Sequence, residues 1–272
     1  MSSEINWNPL LADSVWGSVR GLAVVSATYP LDVIKTRQQV NPQAIPVSRV
    51  ARTIFDQEGV PGFFRGFSPH CVRSIMRQAW SWPMLMGLPG YLQRSDKTHV
   101  VGPYMAQGLA GVSIAAVDTV VTTPLEKARI TYIASRQAYR ETLHYQSLNQ
   151  FIRRGWSGAG TQFLRGAVAW STFLSAQQYF RDQLRRSRQK EELNLAELCA
   201  VGATVALTVG VSVAPFDFRN TLSQSSMHLP YKLGIRGYYR GMPVNALGLV
   251  IHNVASVILI DYLSQSRKNA RA

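Results

Sequence analysis

The chain has 272 residues, of which 46% are hydrophobic and only 16% charged, and its formal net charge is +14. Charged residues make up roughly 25% of an ordinary soluble domain, so this composition argues against a simple soluble globule. The mean hydropathy of −0.03 argues equally against a bundle of wholly lipid-facing helices. Helices that are apolar on one face and polar on the other, around a watery cavity in a membrane, agree with both observations.

The positive charge predicts an acidic partner such as an anionic solute or lipid. We expect no nucleic-acid partner, because the bases are scattered and neither zinc-ligand spacing nor an RNA-binding aromatic motif occurs. Cys71 and Cys199 offer no disulfide framework or metal spacing, so no metal or other cofactor is expected. The N-terminus lacks the basic and apolar regions of a cleaved secretory signal.

Six apolar segments of helical length follow one another along the chain. Most have about twenty residues, enough at 1.5 Å per residue to cross the ~30 Å hydrocarbon layer of a bilayer. In chain order they are Leu10–Tyr29, Val72–Leu92, Tyr104–Thr123, Ala167–Phe180, Leu195–Ala214 and Val244–Leu263.

Polar side chains within these segments indicate a cavity, because a charge inside a bilayer costs several kcal/mol unless it faces water or a partner. They include Arg20, Arg73, Arg77, Asp118, Gln177, Gln178, His252 and Asn253. The alternative is a soluble all-α globule with kinked helices. It is disfavoured by Leu195–Ala214, which contains one acid and no base.

A proline followed two positions later by an acid occurs three times, at spacings of 94 and 91 residues. Such a period predicts one supersecondary block used three times around a common axis. A proline kinks a transmembrane helix, so three kinks would converge at one end of a bundle. The copies are Pro30-Leu31-Asp32, Pro124-Leu125-Glu126 and Pro215-Phe216-Asp217.

Bases follow two of these acids on the same helix face: Lys35 after Asp32, and Arg129 after Glu126. Acids and bases on three converging helices can pair between neighbours into a ring that acts as a gate. When the copies are aligned, small residues upstream also coincide, which predicts close helix packing. They are Gly17 with Gly111 and Gly202, and Gly21 with Ala115 and Ala206.

An aromatic-basic-glycine element precedes the second helix of each repeat, at a level that suits anionic lipid headgroups. Its copies are Phe63-Phe64-Arg65-Gly66, Phe163-Leu164-Arg165-Gly166 and Tyr238-Tyr239-Arg240-Gly241, and Gly59 lies just ahead of the first. We expect Gly59, Arg65, Gly66, Arg165, Gly166, Arg240 and Gly241 to form the lipid sites.

These motifs resemble the signature of the mitochondrial carriers, in which each of three repeats has a proline, an acid and a base at fixed spacing, followed by the aromatic-basic-glycine element. Pro30–Gln39 is a strong match and Pro124–Ile130 a good one, whereas Asn220 replaces the base in Pro215–Asn220. The resemblance covers essentially the whole chain. It implies an all-α membrane protein with six transmembrane helices in three pseudo-threefold repeats and short matrix helices around a central cavity; the repeats would be 1–98, 99–193 and 194–272.

The resemblance also implies a monomer in the mitochondrial inner membrane, cardiolipin as lipid partner, and alternating access of one central site between two gates. The divergence among the motif copies leaves the source open, including an intracellular microbe that delivers the protein into host mitochondria. In the family, the acid of one repeat pairs with the base of the next. The implied pairs are Asp32 with Arg129, Asp217 with Lys35, and Glu126 with Asn220.

The third of these pairs lacks a base and would be a hydrogen bond at most, so a matrix gate of two salt bridges is implied. Family members brace this ring with a glutamine four residues beyond the base; Gln39 and Gln224 match, and Ile133 does not. The opposite, cytoplasmic gate is poorly kept, which favours an outward-open state or transport with loose coupling. Its remnants are Asp182 with Arg185, Asp261 with Ser264, and Tyr91 with Leu92.

Substrate contacts in the family fall seven and eight residues after the glycine of each aromatic-basic-glycine element. A guanidinium at one of these positions, Arg73, suits phosphate or carboxylate, and Arg77 one turn away would add a second positive contact. Phe173 would stack on a base or, alternatively, merely pack between helices. The implied contacts are Arg73, Ser74, Phe173, Leu174, Gly248 and Leu249.

The sequence therefore predicts a transporter of a small anionic solute. An enzyme is disfavoured because no nucleophile-base set, metal cluster or glycine-rich phosphate loop occurs. The first hypothesis for the solute is a nucleotide such as ATP or ADP, and the alternative is an amino acid or carboxylate. A non-transporting membrane adaptor of the same family is a further alternative, which two complete proline-acid motifs disfavour.

Overall fold

The structure, a computed structural model, describes residues 7–41, 43, 45–95, 102–135, 148–189, 193–225 and 234–269. Within these ranges the chain forms helices and turns, with no strand. The helices are α1 Trp7–Val40, α2 Val47–Glu58, a 3-10 helix Val60–Phe64, α3 Phe67–Ser95, α4 Pro103–Ala134, α5 Leu148–Gly155, α6 Ala159–Arg188, α7 Leu195–Ser225, α8 Ile235–Tyr238 and α9 Met242–Asn269.

Six of these helices are long enough to cross a membrane, as predicted, and they lie in a closed ring. Around the ring, α1 packs against α3, α3 against α4, α4 against α6, α6 against α7, α7 against α9, and α9 against α1. Among the described residues, three stretches are also apolar enough to span a bilayer by composition: Tyr104–Ala134, Leu195–Ser225 and Ile235–Leu259. The predicted all-α membrane fold is confirmed.

The three motif prolines lie inside α1, α4 and α7. The predicted apolar segments end at these prolines, but each helix continues ten residues further, from Pro30 to Val40, Pro124 to Ala134 and Pro215 to Ser225. The extensions are polar on one side, so an apolar pattern does not reveal them. They carry the acids and bases of the motif on helical backbone.

Close helix packing was predicted from the aligned small residues, and it is observed most clearly at Gly111. A Cβ atom there would lie 2.5 Å from the backbone nitrogen of Ser171, so α4 and α6 touch backbone to backbone. At Gly202 the nearest atom, on Asn253, would be 3.7 Å away, which is an ordinary contact. The surroundings of Gly17 and Gly21 lie outside what the structure describes.

The second aromatic-basic-glycine element was assigned wrongly. Gly66 (φ +80°) and Gly241 (φ +82°) have left-handed backbone and immediately precede α3 and α9. The corresponding glycine of the second repeat is Gly158 (φ +89°), directly before α6, because only glycine adopts this backbone without strain. Gly166 lies within α6 and packs against Ala115, so the predicted start of this helix at Ala167 was too late.

We predict that Gly111→Ala destabilises the protein by about 3 kcal/mol, because the new methyl group meets backbone atoms of α6 that cannot move aside. Thermal unfolding of the purified protein in detergent measures this change. The matched control is Gly87→Ala on α3, where a Cβ atom would meet nothing within 4 Å. Equal unfolding temperatures for the two variants would contradict the close contact between α4 and α6.

Candidate functional site

A cavity of about 200 Å³ lies inside the ring, and all six long helices contribute to its lining. Its walls carry five bases and three acids, an excess of two positive charges. No phenylalanine, tyrosine or tryptophan is among the lining residues that the structure describes. The charged lining residues are Lys35, Arg73, Arg77, Arg129 and Arg165 with Asp32, Glu126 and Asp217.

Two ion pairs that the motif copies suggest are formed at one end of this cavity. Arg129 Nη2 lies 2.8 Å from Asp32 Oδ2, joining α4 to α1, and Lys35 Nζ lies 2.9 Å from Asp217 Oδ2, joining α1 to α7. Lys35 also donates to Asn245 Oδ1 on α9 at 3.2 Å. The proline-acid helices are therefore tied together where the resemblance implies a gate.

The two glutamines implied as braces lie beside this ring. Gln39 Nε2 donates to Asp217 Oδ2 at 3.0 Å, and Gln39 Oε1 accepts from the Thr221 hydroxyl at 2.7 Å. Gln224 Nε2 donates to Asn220 Oδ1 at 3.1 Å, and its backbone carbonyl accepts from the Thr131 hydroxyl on α4 at 3.1 Å. Gln39 thus supports an ion pair, whereas Gln224 belongs to a network of neutral groups.

The implied contact between Glu126 and Asn220 is absent among the hydrogen bonds of the described residues. Glu126 Oε2 instead lies 3.1 Å from Arg73 Nε on α3 and 3.2 Å from Arg129 Nη1. Asn220 Nδ2 donates to Gln162 Oε1 on α6 at 3.0 Å. A buried carboxylate requires a cation, and an asparagine cannot supply one, so Glu126 has its second partner on α3 and Asn220 has its partner on α6.

The corrected position of the glycine before α6 also changes the contacts expected on that helix. Seven residues after Gly158 comes Arg165, which lines the cavity with Nη1 3.6 Å from Asp217 Oδ1. Arg165 is therefore the counterpart of Arg73 after Gly66. Sequence comparison missed this role because it placed Arg165 at the headgroup level.

Phe173 and Leu174 are not cavity residues, contrary to the implied contacts. Phe173 packs against the valines of α7 and makes an edge contact with Trp170, their ring centroids being 6.1 Å apart. Leu174 is buried against Ala110 and Ile114 of α4. Both side chains hold helices together, as the alternative interpretation of Phe173 proposed.

The remaining implied contacts fall into two groups. Gly248, Leu249 and Arg77 line the cavity. Ser74 is buried behind the lining, and its hydroxyl has no hydrogen-bond partner among the described residues. Arg77 makes no ion pair or hydrogen bond within the described part of the chain, so it is the cavity base left free for a solute.

Several lining residues were not singled out as contacts from the sequence. His70 and His252 are polar side chains on helices α3 and α9, and Thr28 precedes the first motif proline by two positions. Asn245 lies four residues after Gly241. The helical spacing from Asn245 to Gly248 and His252 is the signal that could have identified the cavity face of α9.

The predicted opposite gate is only sparsely formed among the described residues. Asp182 Oδ2 accepts from the Tyr104 hydroxyl at 3.3 Å, but no ion pair joins it to Arg185. The Tyr91 side chain is 67% exposed. The side chains of Asp261 and Ser264 lie outside the described residues.

The arginines proposed for lipid binding all contact protein. Arg65 Nη2 lies 2.7 Å from Glu58 Oε2, and Arg240 Nη1 donates to the Asn41 carbonyl at 2.7 Å. Arg165, as described above, points into the cavity. Lipid binding stays a prediction that depends on the backbone around Gly59, Gly66 and Gly241, because Gly166 lies within α6.

Comparison with known proteins supports the resemblance. The family model for mitochondrial carrier proteins matches residues 6–95. The chain is 24% identical to the mitochondrial ornithine transporter 1 of Saccharomyces cerevisiae, over 93% of this chain and 95% of the relative. It is 23% identical to the mitochondrial magnesium exporter 1 of Drosophila melanogaster, over 89% and 85% respectively.

A third relative, the mitochondrial 2-oxodicarboxylate carrier of Rattus norvegicus, is 24% identical over 83% of this chain and 79% of its own length. These matches extend over nearly the full length of the protein, in agreement with the ring of six helices and its charged end. The chain is therefore similar to mitochondrial carrier proteins over nearly its whole length, and residues 6–95 match their family model.

Proposed function

We propose that the chain is a multi-pass carrier of the mitochondrial inner membrane that transports a small carboxylate-bearing metabolite by alternating access. The main support is the cavity, which has five bases against three acids and contains Arg77 without a protein partner among the described residues. A planar guanidinium binds a carboxylate through two parallel hydrogen bonds. An anion of this kind would neutralise the excess positive charge of the lining.

Several relatives in sequence are named for amino acids and oxo acids, which supports a solute of this size. They include the ornithine transporter, the 2-oxodicarboxylate carrier and a mitochondrial glycine transporter B of Danio rerio that is 40% identical over 24% of this chain. The described lining has no phenylalanine, tyrosine or tryptophan on which a nucleobase could stack, because Phe173 packs against α7; its aromatic rings are the imidazoles of His70 and His252.

A nucleotide remains the second candidate because three arginines face one cavity. Arg73, Arg77 and Arg165 together could neutralise a polyphosphate, which a single carboxylate does not require. Competition between solutes during uptake distinguishes the two candidates, because a nucleotide carrier would take up ATP in preference to a dicarboxylate.

Gating in this proposal depends on the ion pairs at the end of the cavity. The pairs join α1 to α4 and α1 to α7, so the cavity is closed at that end while they persist. Buried ion pairs are lost only at a substantial cost if one charge is left alone. A bound anion would reduce that cost by offering the bases a second negative partner.

The proposed function is tested by uptake into proteoliposomes, with labelled ornithine, glycine, a 2-oxodicarboxylate and ATP. Uptake of a carboxylate solute that unlabelled ATP fails to reduce would support the proposal. Preferential uptake of ATP would establish the second candidate. No uptake of any solute by folded protein would contradict both and favour the adaptor.

We predict that Arg77→Ala lowers uptake of the carboxylate by about 10- to 100-fold, because a charge-assisted hydrogen bond contributes roughly 1.5–3 kcal/mol. Initial rates of uptake in proteoliposomes measure the effect. Arg219→Ala is the matched control, since Arg219 is an exposed arginine on α7 outside the cavity lining. An equal loss in both variants would argue against direct binding by Arg77.

We predict that Lys35→Gln opens the charged end of the cavity, because Asp217 then keeps the neutral Gln39 amide but only one described cation, Arg165 at 3.6 Å. The measurement is the labelling rate of Thr28→Cys, in a chain with Cys71→Ser and Cys199→Ser, by an impermeant maleimide applied from that side. The rate is expected to rise by roughly tenfold or more.

Arg37→Gln is the control for this labelling experiment. Arg37 lies on the same helix and makes an ion pair with Glu58 at 2.6 Å, but it is outside the cavity lining. Labelling that stays slow in Lys35→Gln, or that rises equally in Arg37→Gln, would contradict a gate at this ring.

A further inference from the structure

The charged ring contains a base that belongs to none of the proline motifs. Asn220 occupies the position of the third base, so α7 supplies no cation to Glu126. Arg73, on α3, takes that place with Nε 3.1 Å from Glu126 Oε2. Only 6% of the Arg73 side chain and 5% of the Glu126 side chain are exposed, so the contact is a buried ion pair.

We infer that Arg73 is the third base of the ring and that an anion bound in the cavity competes with Glu126 for it. The same guanidinium would then stabilise the closed state through Glu126 and bind the solute anion. The competition with an anion rests on the proposed function. The role of Arg73 in the ring does not, because that contact requires no solute.

The unpaired atoms of Arg73 point to the second partner. Its Nη1 is buried and has no hydrogen-bond partner among the described residues, although the side chain lines the cavity. A buried guanidinium donor without an acceptor is costly, and an anion in the cavity would supply the acceptor. The ion pair through Nε therefore leaves part of the fork available to a solute.

Glu126 can release Arg73 without becoming an isolated charge. Both of its oxygens also accept from Arg129 Nη1, at 3.3 and 3.2 Å. When an anion draws Arg73 away, the Glu126 carboxylate keeps one cation. A solute can therefore break the contact between α3 and α4 without leaving Glu126 unpaired.

The seam between α4 and α7 is correspondingly free of a direct ion pair among the described residues. It carries the hydrogen bond from Thr131 to the Gln224 carbonyl, while Asn220 binds Gln162 on α6. Opening of this seam requires no separation of opposite charges across it. One of the three acids of the ring, Glu126, is thus paired with Arg73, a residue of the proposed solute site, and not with a base on α7.

The first test is the thermal unfolding of full-length protein in detergent without solute. Arg73→Ala is expected to lower the unfolding temperature by ~5 °C or more, because Glu126 loses one of its two bases. Arg77→Ala is the matched control on the same helix and should not lower that temperature, since Arg77 has no partner among the described residues and its removal reduces the excess positive charge of the cavity. An unchanged temperature in Arg73→Ala would overturn the assignment.

Asn220→Arg provides the rescue, because Asn220 and Glu126 line the same cavity. Added to Arg73→Ala, it should restore the unfolding temperature but not uptake of the carboxylate. Failure to restore the temperature would overturn the role of Arg73 as a ring base. Restoration of uptake as well would overturn its role in solute recognition.

The single variant Asn220→Arg tests the competition even if Arg73→Ala fails to fold. Its new base should draw Glu126 from Arg73, so the apparent affinity for an anion should rise by about tenfold, the equivalent of 1.4 kcal/mol. Titrations with succinate and with inorganic phosphate, read as shifts in unfolding temperature, measure the affinity. An unchanged affinity would overturn the competition.

These experiments separate the inference from the proposed function. If wild-type protein binds neither succinate nor phosphate, the anion hypothesis and the competition both fail, while the rescue of unfolding temperature still decides whether Arg73 closes the ring. If carboxylate uptake is observed but the rescue fails, the proposed function holds and the inference is wrong.

Discussion

The partnering of buried charge is the constraint on which the rest of this structure depends. Glu126 and Asp217 are buried at one end of a closed ring of helices, where water and counter-ions reach them poorly. Each needs a cation within a few ångströms, because an isolated carboxylate in such a place is prohibitively costly. The helices converge where these partners meet, and the cavity is the space left above them.

The loss of one base shows how this constraint acts. Where Asn220 stands, the ring does not leave Glu126 with Arg129 alone; Arg73 approaches from α3, and Gln162 on α6 satisfies the asparagine. On α7, amides and hydroxyls make neutral hydrogen bonds where a base would stand. On α4, Glu126 is paired with Arg73 of the cavity lining. In the proposed gate, α3 and α6 would thereby take part in closure as well as in lining the cavity.

Much of this fold could be predicted from the sequence, because the repeated Pro30, Pro124 and Pro215 motifs fix the helices and two interhelix pairs. The partner of Glu126 could not, since spacing along one helix says nothing about which neighbour fills a missing position. The element before α6 was misassigned for a different reason: Gly166 matches the motif in letters, whereas the left-handed backbone that starts the helix belongs to Gly158. The backbone conformation of Gly158 is not evident from the residue pattern. It sets the start of α6, and with this start Arg165 lies in the cavity lining.

The excess of two positive charges in the cavity is unfavourable for the empty protein, since like charges repel most strongly where water is scarce. In the proposed carrier, a solute anion relieves this repulsion but must compete with Glu126 and Asp217 for the same bases. Its net gain is the difference between two similar interactions, so its affinity stays moderate and release remains possible. In the proposed carrier, the carboxylates of the ring therefore have a second effect besides closing one end of the cavity. They limit the affinity of the cavity bases for the solute anion.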